Sequence, residues 1–500
     1  MRIKLLLIAI LSLWFSHGVS AQVDDKVKSL DRMIEEGMKD WNIPGLATVV
    51  VKDGEVVFKK VYGVKDIPAR SPVDENTLFS MASTTKAIVA LAMGMLVDQG
   101  KLDWDDKVRD HLPSFQLSDS YITEDARVKD LLIHNLGIRN ADLLWLIDSV
   151  SVEETLRRFS RTEKTYPLRG GFVYQNIMYA VAGEVIKEVS GQDWATFVEE
   201  NIFRRLNMKN TFAKSVAIHK VRNFAIPYYD DPKEGMVKVD HNYSDQIGPA
   251  GMIWSNISDM GNYLTFLVND GVYKGDTLVK RATFNYLFQP HALIPDAMYP
   301  TDKLIGSDWR SYGLGWFQQQ YKGKKLDFHT GSLSGLVALA GIMRDENTAV
   351  YVFANLDHAE LRHAILYKAM DLWAFEDGQR DWHREVFGLY SELKEESQKK
   401  LKDREEKRIA DTKPTLPLED YKGTYKNNTW GRVEVTVIDG DLRFNFNDHL
   451  HKKAQHWHYD TFYTMKDPKN WSSAPISFNL DQSGKVKELV FADQPFTKTK

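Results

Sequence analysis

The 500-residue chain contains no cysteine. That excludes a disulfide framework, a cysteine nucleophile, a cysteine-ligated zinc or iron–sulfur centre, and a lipidated cysteine at a processed N-terminus. It also lacks any large surplus of charge: 65 Lys and Arg stand against 69 Asp and Glu, for a formal net charge of −4. No overall field is available to hold a phosphate backbone or an anionic membrane, so no nucleic-acid partner is expected. Internal repeats and long low-complexity tracts are missing too. Beyond the first twenty-one residues no stretch is long and apolar enough to span a bilayer, and no transmembrane span is expected in the processed chain.

What is present fits a globular protein of more than one domain, with 43% of its residues hydrophobic. At the N-terminus Arg2 and Lys4 precede an apolar run over 5–15, and Val19-Ser20-Ala21 places small residues for cleavage before Gln22. Residues 1–21 therefore read as a signal peptide, too short in its apolar part for a comfortable membrane anchor. The mature protein is expected to be secreted, into the periplasm of a bacterium.

Val27, Leu30, Ile34 and Met38 recur at helical spacing, and two strand-like runs over 46–51 and 55–62 flank the turn pair Asp53-Gly54. Residues 84–99 are almost wholly apolar and end at Gly100, as a helix buried on all sides does. A mainly helical stretch follows from Trp104 to about Asn262. Strand-like runs return over 314–320, 326–329, 336–343 and 349–354, with a helix over 359–375. The pattern predicts an α/β (α+β) domain over 22–375, in which one antiparallel sheet is closed by both chain ends and carries a helical insertion. Residues 376–413 nearly alternate in charge sign and are expected to form a solvated helical linker. After Pro414 and Pro417, Val433, Val435 and Val437 alternate with polar residues. Asp439-Gly440 then turns the chain and Leu442, Phe444 and Phe446 alternate again, predicting a small β-barrel-like domain over 414–500.

Chemistry concentrates in Ser83-Thr84-Thr85-Lys86, at the start of the buried helix. Three residues apart, Ser and Lys share a helix face. A helix start offers unpaired backbone N–H groups for an oxyanion, and a Lys against an apolar wall loses hydration and can become a neutral base. Ser391 to Lys394 and Ser397 to Lys400 repeat the spacing, but in the charged linker nothing would dehydrate the Lys. The first match differs in its company. Tyr174-Gln175-Asn176 follows a Gly170-Gly171 break, and His329-Thr330-Gly331 ends a strand.

Ser-x-x-Lys, Tyr-x-Asn and Lys/His-Thr-Gly in this order resemble the serine β-lactamase and penicillin-binding-protein superfamily. Ile43-Pro44-Gly45-Leu46, Leu132-Ile133-His134-Asn135, Pro249-Ala250-Gly251-Met252 and Tyr312-Gly313-Leu314-Gly315-Trp316 extend the likeness over roughly 25–375. The branch it resembles is that of class C β-lactamases, D,D-peptidases and esterases. The tail is similar to a small lipocalin-like domain found behind such hydrolases.

The resemblance implies an acyl-enzyme on Ser83, with Lys86 and Tyr174 sharing proton transfer; which of the two is the base stays open. It implies that Asn176 orients Lys86 and the substrate amide, and that the N–H groups of Ser83 and Ser332 form an oxyanion hole. His329, Thr330, Gly331 and Ser332 would line the substrate. The implied substrate is a small molecule or a peptidoglycan-type peptide or ester, with no cofactor and no metal. Two departures stand out. Leu136 replaces a Ser common in the family's loop, and His329 replaces the Lys of class C β-lactamases. Charged only in part near neutrality, His329 shifts the reading toward D,D-peptidase, D-amino-acid peptidase or esterase activity, with β-lactamase activity expected to be weak at most.

Other readings weigh against this one. His449, His451, His456 and His458 could suggest a metal site, but packed or exposed aromatics explain them as well. The segment Gly331-Ser332-Leu333-Ser334-Gly335 has Leu where an α/β-hydrolase elbow needs Ser. The alternative function is an envelope binding protein that kept the fold and uses its β domain to hold glycan or lipid.

Overall fold

The computed structural model describes residues 24–146, 150–239, 245–446, 450–465 and 473–499. The signal peptide expected over 1–21, and His449, lie outside them.

Residues 24–40 form the first helix, α1, which buries Leu30, Met33 and Ile34. The hairpin that follows joins β1 (Gly45–Lys52) to β2 (Glu55–Asp66). Asp53 and Gly54 both take the positive φ that its two-residue turn demands, 52° and 83°. β1 is buried along nearly its whole length, because Gly45-Leu46-Ala47-Thr48-Val49-Val50-Val51 is a continuous small or apolar run covered on both faces. The buried segment after it becomes α2 (Thr85–Asp98), which packs against α3 (Ile177–Ser190) of the helical insertion.

The later strand-like runs become β3 (Phe317–Tyr321), β4 (Lys324–Leu333), β5 (Leu336–Met343) and β6 (Thr348–Ala354). The sheet has nine antiparallel strands. From one edge the order is Ala292–Leu293, Arg310–Tyr312, β3, β4, β5, β6, β1, β2 and Ser71–Pro72. β6 lies directly beside β1, with Leu46 opposite Ala354 and Lys52 opposite Thr348, so both ends of the domain meet inside the sheet. Helix α4 (Ile257–Val268) packs on β1 and β6, and α5 (Leu361–Trp373) on β5 and β6.

The charged segment contains α6 (Trp382–Glu406), capped by the Asp381 side chain. Its beginning is not solvated. Trp382 stacks on Tyr367 at 4.6 Å and donates its indole N–H to Asp371 at 2.8 Å, His383 meets Asp40 at 2.8 Å, and Val386 is buried. Two apolar residues four apart suffice to dock one turn, and the surrounding charge hid them from the sequence pattern. At the far end Arg404 donates to the Tyr463 hydroxyl and Arg408 to the Trp457 carbonyl, each at 2.6 Å. The helix thus touches a domain at each end.

Beyond it, eight strands from Gly423–Asn427 to Gln494–Lys498 close into a barrel, the last pairing with the first. Val435, Leu442, Phe444, Phe462 and Phe478 fill its interior, as side chains do in a barrel of this strand number. One hairpin of the barrel reaches the helical insertion, where Arg161 donates to the Asn428 carbonyl at 2.7 Å. Among the described residues no helix is long and apolar enough to cross a membrane.

Candidate active site

Ser83 sits in the single 3-10 turn Ala82–Thr84 that leads into α2. Ala82, just before it, is held at φ 45°, a left-handed conformation that costs a non-glycine residue energy and marks an over-determined turn. The surroundings impose it. Phe79–Ser80 pairs with Trp254–Ser255, Met81 N donates to Ile253 O at 2.8 Å, and Ala82 N donates to the Ser80 hydroxyl at 3.1 Å. From the other side β4 presses Gly331 against this turn. A Cβ there would overlap the Met81 carbonyl oxygen and lie 3.1 Å from Ser83 N.

Lys86 is fully buried, and its Nζ makes three contacts: Ser83 Oγ at 3.2 Å, Asn176 Oδ1 at 2.8 Å and Ala250 O at 2.7 Å. Burial pulls its pKa from 10.5 down to about 7, while the Asp142 carboxylate pulls the other way. A neutral amine has two protons and one lone pair. Asn176 Oδ1 and Ala250 O can only accept, so they take the two protons and the lone pair is left facing Ser83 Oγ. Asn176 cannot turn its amide around, because its Nδ2 donates to Asp142 Oδ2 at 2.9 Å.

Tyr174 has its pKa held well above 10 by burial, with the Ser83 side chain acting in the opposite direction. Its ring lies 4.9 Å from Lys86 Nζ and 4.3 Å from the ring of His134. His134 is buried, accepts from Gln175 N at 2.9 Å, and is kept far below its usual pKa by burial and by Lys86. The loops carrying Tyr174 and His134 are therefore clamped together, with Gln175 also donating to Arg139 O at 2.9 Å.

The His329-Thr330-Gly331-Ser332 segment lies on β4 beside this group, and each residue has its own partner. His329 is 1% exposed. Its Nδ1 faces Thr330 O at 2.6 Å and its Nε2 faces the Tyr312 hydroxyl at 2.9 Å. A carbonyl can only accept, so Nδ1 carries the proton and Nε2 accepts from Tyr312. Burial, with Lys86 nearby, pushes its pKa to about 3. The partial protonation expected from the sequence does not survive that burial; His329 is neutral throughout the physiological range. The Thr330 hydroxyl pairs with that of Tyr299 at 2.7 Å. Ser332 accepts from Arg362 at 3.0 Å, and the same guanidinium holds Gly331 O at 2.6 Å.

With these contacts the structure brings Ser83, Lys86, Tyr174 and Asn176 into one cluster and sets the β4 segment against it. The two repeats of the Ser-x-x-Lys spacing fall on the outward part of α6, with Lys394 and Lys400 exposed.

A model of the Beta-lactamase family matches residues 30–372. The chain belongs to the β-lactamase family. Residues 407–499 match a second model, described only as a domain of unknown function (DUF3471). Among curated relatives, Unguisins hydrolase ungD' of Aspergillus campestris is 25% identical over 446 residues, which are 83% of this chain and 79% of its own. Protein flp of Staphylococcus aureus is 25% identical over 344 residues, 67% of this chain and 64% of its own. The octameric penicillin-binding protein homologue from Pyrococcus abyssi shares the fold, with a TM-score of 0.62 at 21% identity, covering 94% of this chain and 100% of its own.

Within this β-lactamase-family site, three contributors escaped the sequence reading. Asp142 lies five residues after Gly137 with no spacing to mark it, Ala250 acts through its carbonyl, and Arg362 reaches β4 from α5. The barrel histidines are engaged separately: His451 with Asn445 at 2.8 Å, His456 with the Tyr459 carbonyl at 2.8 Å.

Proposed function

We propose that this protein is an exported serine hydrolase that cleaves an ester or amide through an acyl-enzyme on Ser83. The observation that carries the reading is the Lys86 amine, with its two acceptor contacts at Asn176 and Ala250 and its third contact at Ser83 Oγ. Neutral Lys86 takes the Ser83 proton as Oγ forms a bond to the substrate carbonyl carbon. The negative charge developing on the carbonyl oxygen is met by the N–H groups of Ser83 and Ser332. As the C–N or C–O bond breaks, the proton passes through the Tyr174 hydroxyl to the leaving group. Water then attacks the acyl carbon, and the same groups run in reverse to release the acid. These steps need no cofactor.

The electrostatics favour Lys86 as the base, since Tyr174 is held protonated while Lys86 is half-neutral near pH 7. Neutral His329 supplies no cation for a substrate carboxylate. That supports D-amino-acid peptidase or esterase activity over β-lactamase activity. The leader over 1–21 supports secretion into a periplasm. Among the described residues Val435, Leu442, Phe444, Phe462 and Phe478 occupy the barrel interior, which weighs against the binding-protein alternative.

The deciding experiment treats the mature protein with a fluorophosphonate and maps the adduct by mass spectrometry. One adduct on Ser83 is expected. Labelling that persists in Ser83→Ala, or that maps to Ser391 or Ser397, overturns the assignment.

A further inference from the structure

The charges around Ser83 are unequal. On the cationic side, Lys86 spends its contacts inside the site, and Arg362 is shut behind β4 with Glu360 on its guanidinium at 3.1 Å. His329 has both nitrogens engaged. On the anionic side stands Asp142, half-buried on the loop that clamps Tyr174. Its Oδ2 accepts from Asn176 Nδ2 at 2.9 Å and Asn140 Nδ2 at 3.1 Å, while its Oδ1 accepts from the Trp145 indole at 3.0 Å. Asn140 also donates to Tyr174 O at 2.8 Å, which fixes this loop to the cluster.

An ionised carboxylate offers about four acceptor positions, two on each oxygen. Asn176 and Asn140 fill Oδ2. Oδ1 has one donor and room for another, and among the described residues no cation lies within ion-pairing distance of Asp142. The carboxylate is thus preorganised by three neutral donors and positioned through Asn176 beside the Lys86–Ser83 pair; Lys86 feels its field, but no cation pairs with it directly among the described residues.

We propose that Asp142 recognises a primary ammonium group on the acyl part of the substrate, so that the enzyme acts on aminoacyl esters and amides with a free amine. The inference rests on Ser83 being the nucleophile. An α-ammonium is one carbon away from the scissile carbonyl, and two side chains join Asp142 to the nucleophile: Asn176 bridges Asp142 Oδ2 at 2.9 Å and Lys86 at 2.8 Å, and Lys86 reaches Ser83 Oγ at 3.2 Å. The proposal requires the bound acyl group to turn that charge toward the spare position on Oδ1. Asp142 is half-buried, and a charge-assisted hydrogen bond there is stronger than one fully in water. N-acylation removes both the charge and two of the donors, and sets a carbonyl oxygen toward a carboxylate.

The test pairs alanine and leucine p-nitroanilides, in D and L forms, with their N-acetyl counterparts, and uses p-nitrophenyl acetate as a neutral reference. The parent enzyme is expected to favour the free amine by about tenfold or more in kcat/KM. Asp142→Asn is expected to bring that ratio to near one, whatever loss it causes on both substrates, and Asp142→Glu to retain part of the preference. Melting curves establish that the variants fold, and the parent comparison stands without them. Indifference to acetylation in the parent, or a preference that survives Asp142→Asn, overturns the role of Asp142 while acetate turnover keeps the hydrolase reading. No turnover of any substrate together with no label on Ser83 removes both.

Discussion

Gly331 on β4 faces the backbone amide of Ser83 so closely that a Cβ would stand 3.1 Å from Ser83 N and inside the Met81 carbonyl oxygen. Backbone has no rotamer with which to yield, so Gly331→Ala must push β4 away from the nucleophile turn. Ester turnover should fall about a hundredfold or more, with a loss of about 1–3 kcal/mol in denaturant unfolding. Activity within threefold of the parent would show that β4 need not approach Ser83 for catalysis.

With Lys86 as the proposed base, the pH dependence follows its titration. Its folded pKa is lowered from 10.5 to about 7, so the neutral, proton-accepting form grows as pH rises through 7. Acylation by a neutral ester should climb about tenfold per unit below pH 7 and level off above it. Lys86→Arg, cationic at every accessible pH, should lose about a hundredfold or more. A stopped-flow profile that is flat between pH 5.5 and 8 would assign the base elsewhere.

His329 and His134 make acid costly. The unfolded chain takes up a proton at each near pH 6.5, whereas folded His329 does so only at about 3 and His134 well below 6.5. The unfolded state therefore binds more protons, and the stability present above 6.5 is lost as pH falls through that value. For His329 alone the loss is about 2 kcal/mol between pH 6.5 and 5. Urea unfolding at pH 7.5 and 5 reads it, and His329→Asn should shrink the difference. The turnover ratio of carboxylate-bearing to neutral substrates should stay flat between pH 6 and 8. An imidazole of His329 titrating near 6.5 by NMR would contradict both statements.

Trp382 tests the boundary of the charged segment. With its ring on Tyr367 and its N–H on Asp371, Trp382→Ala should cost about 3–5 kcal/mol, although it lies in a stretch that reads as a spacer. A chain ending at Asp411 keeps this anchor and should stay folded by circular dichroism and monodisperse by gel filtration. Losing the Arg161–Asn428 contact, it should change its selectivity between large and small substrates. Aggregation of the shortened chain would make the barrel part of the hydrolase fold.

Much of the architecture was legible because its signals are local. The Asp53-Gly54 turn, the apolar run of α2 and the alternating barrel strands each follow from adjacent residues. The same holds for Ser83 and Lys86, three residues apart where the 3-10 turn runs into α2. What sequence hides is long-range burial. Nothing around His329 announces that Tyr312 and Thr330 will enclose it, and nothing around Asp142 announces that Asn176 will turn its amide toward it. Trp382 and Val386 were concealed differently, by charged neighbours that diluted their pattern.

The pairing of β1 with β6 has a consequence for the order of events in the newborn chain. Leu46 waits for Ala354, and Ser83 for Gly331, across hundreds of residues that must first be synthesised. Closing loops of that length carries an entropic cost, and folds dominated by such pairings form slowly. A nascent chain therefore displays Ser83 before the strand that packs against its turn exists. The proposed active site comes into being only once almost the whole β-lactamase-family domain over 30–372 has been made.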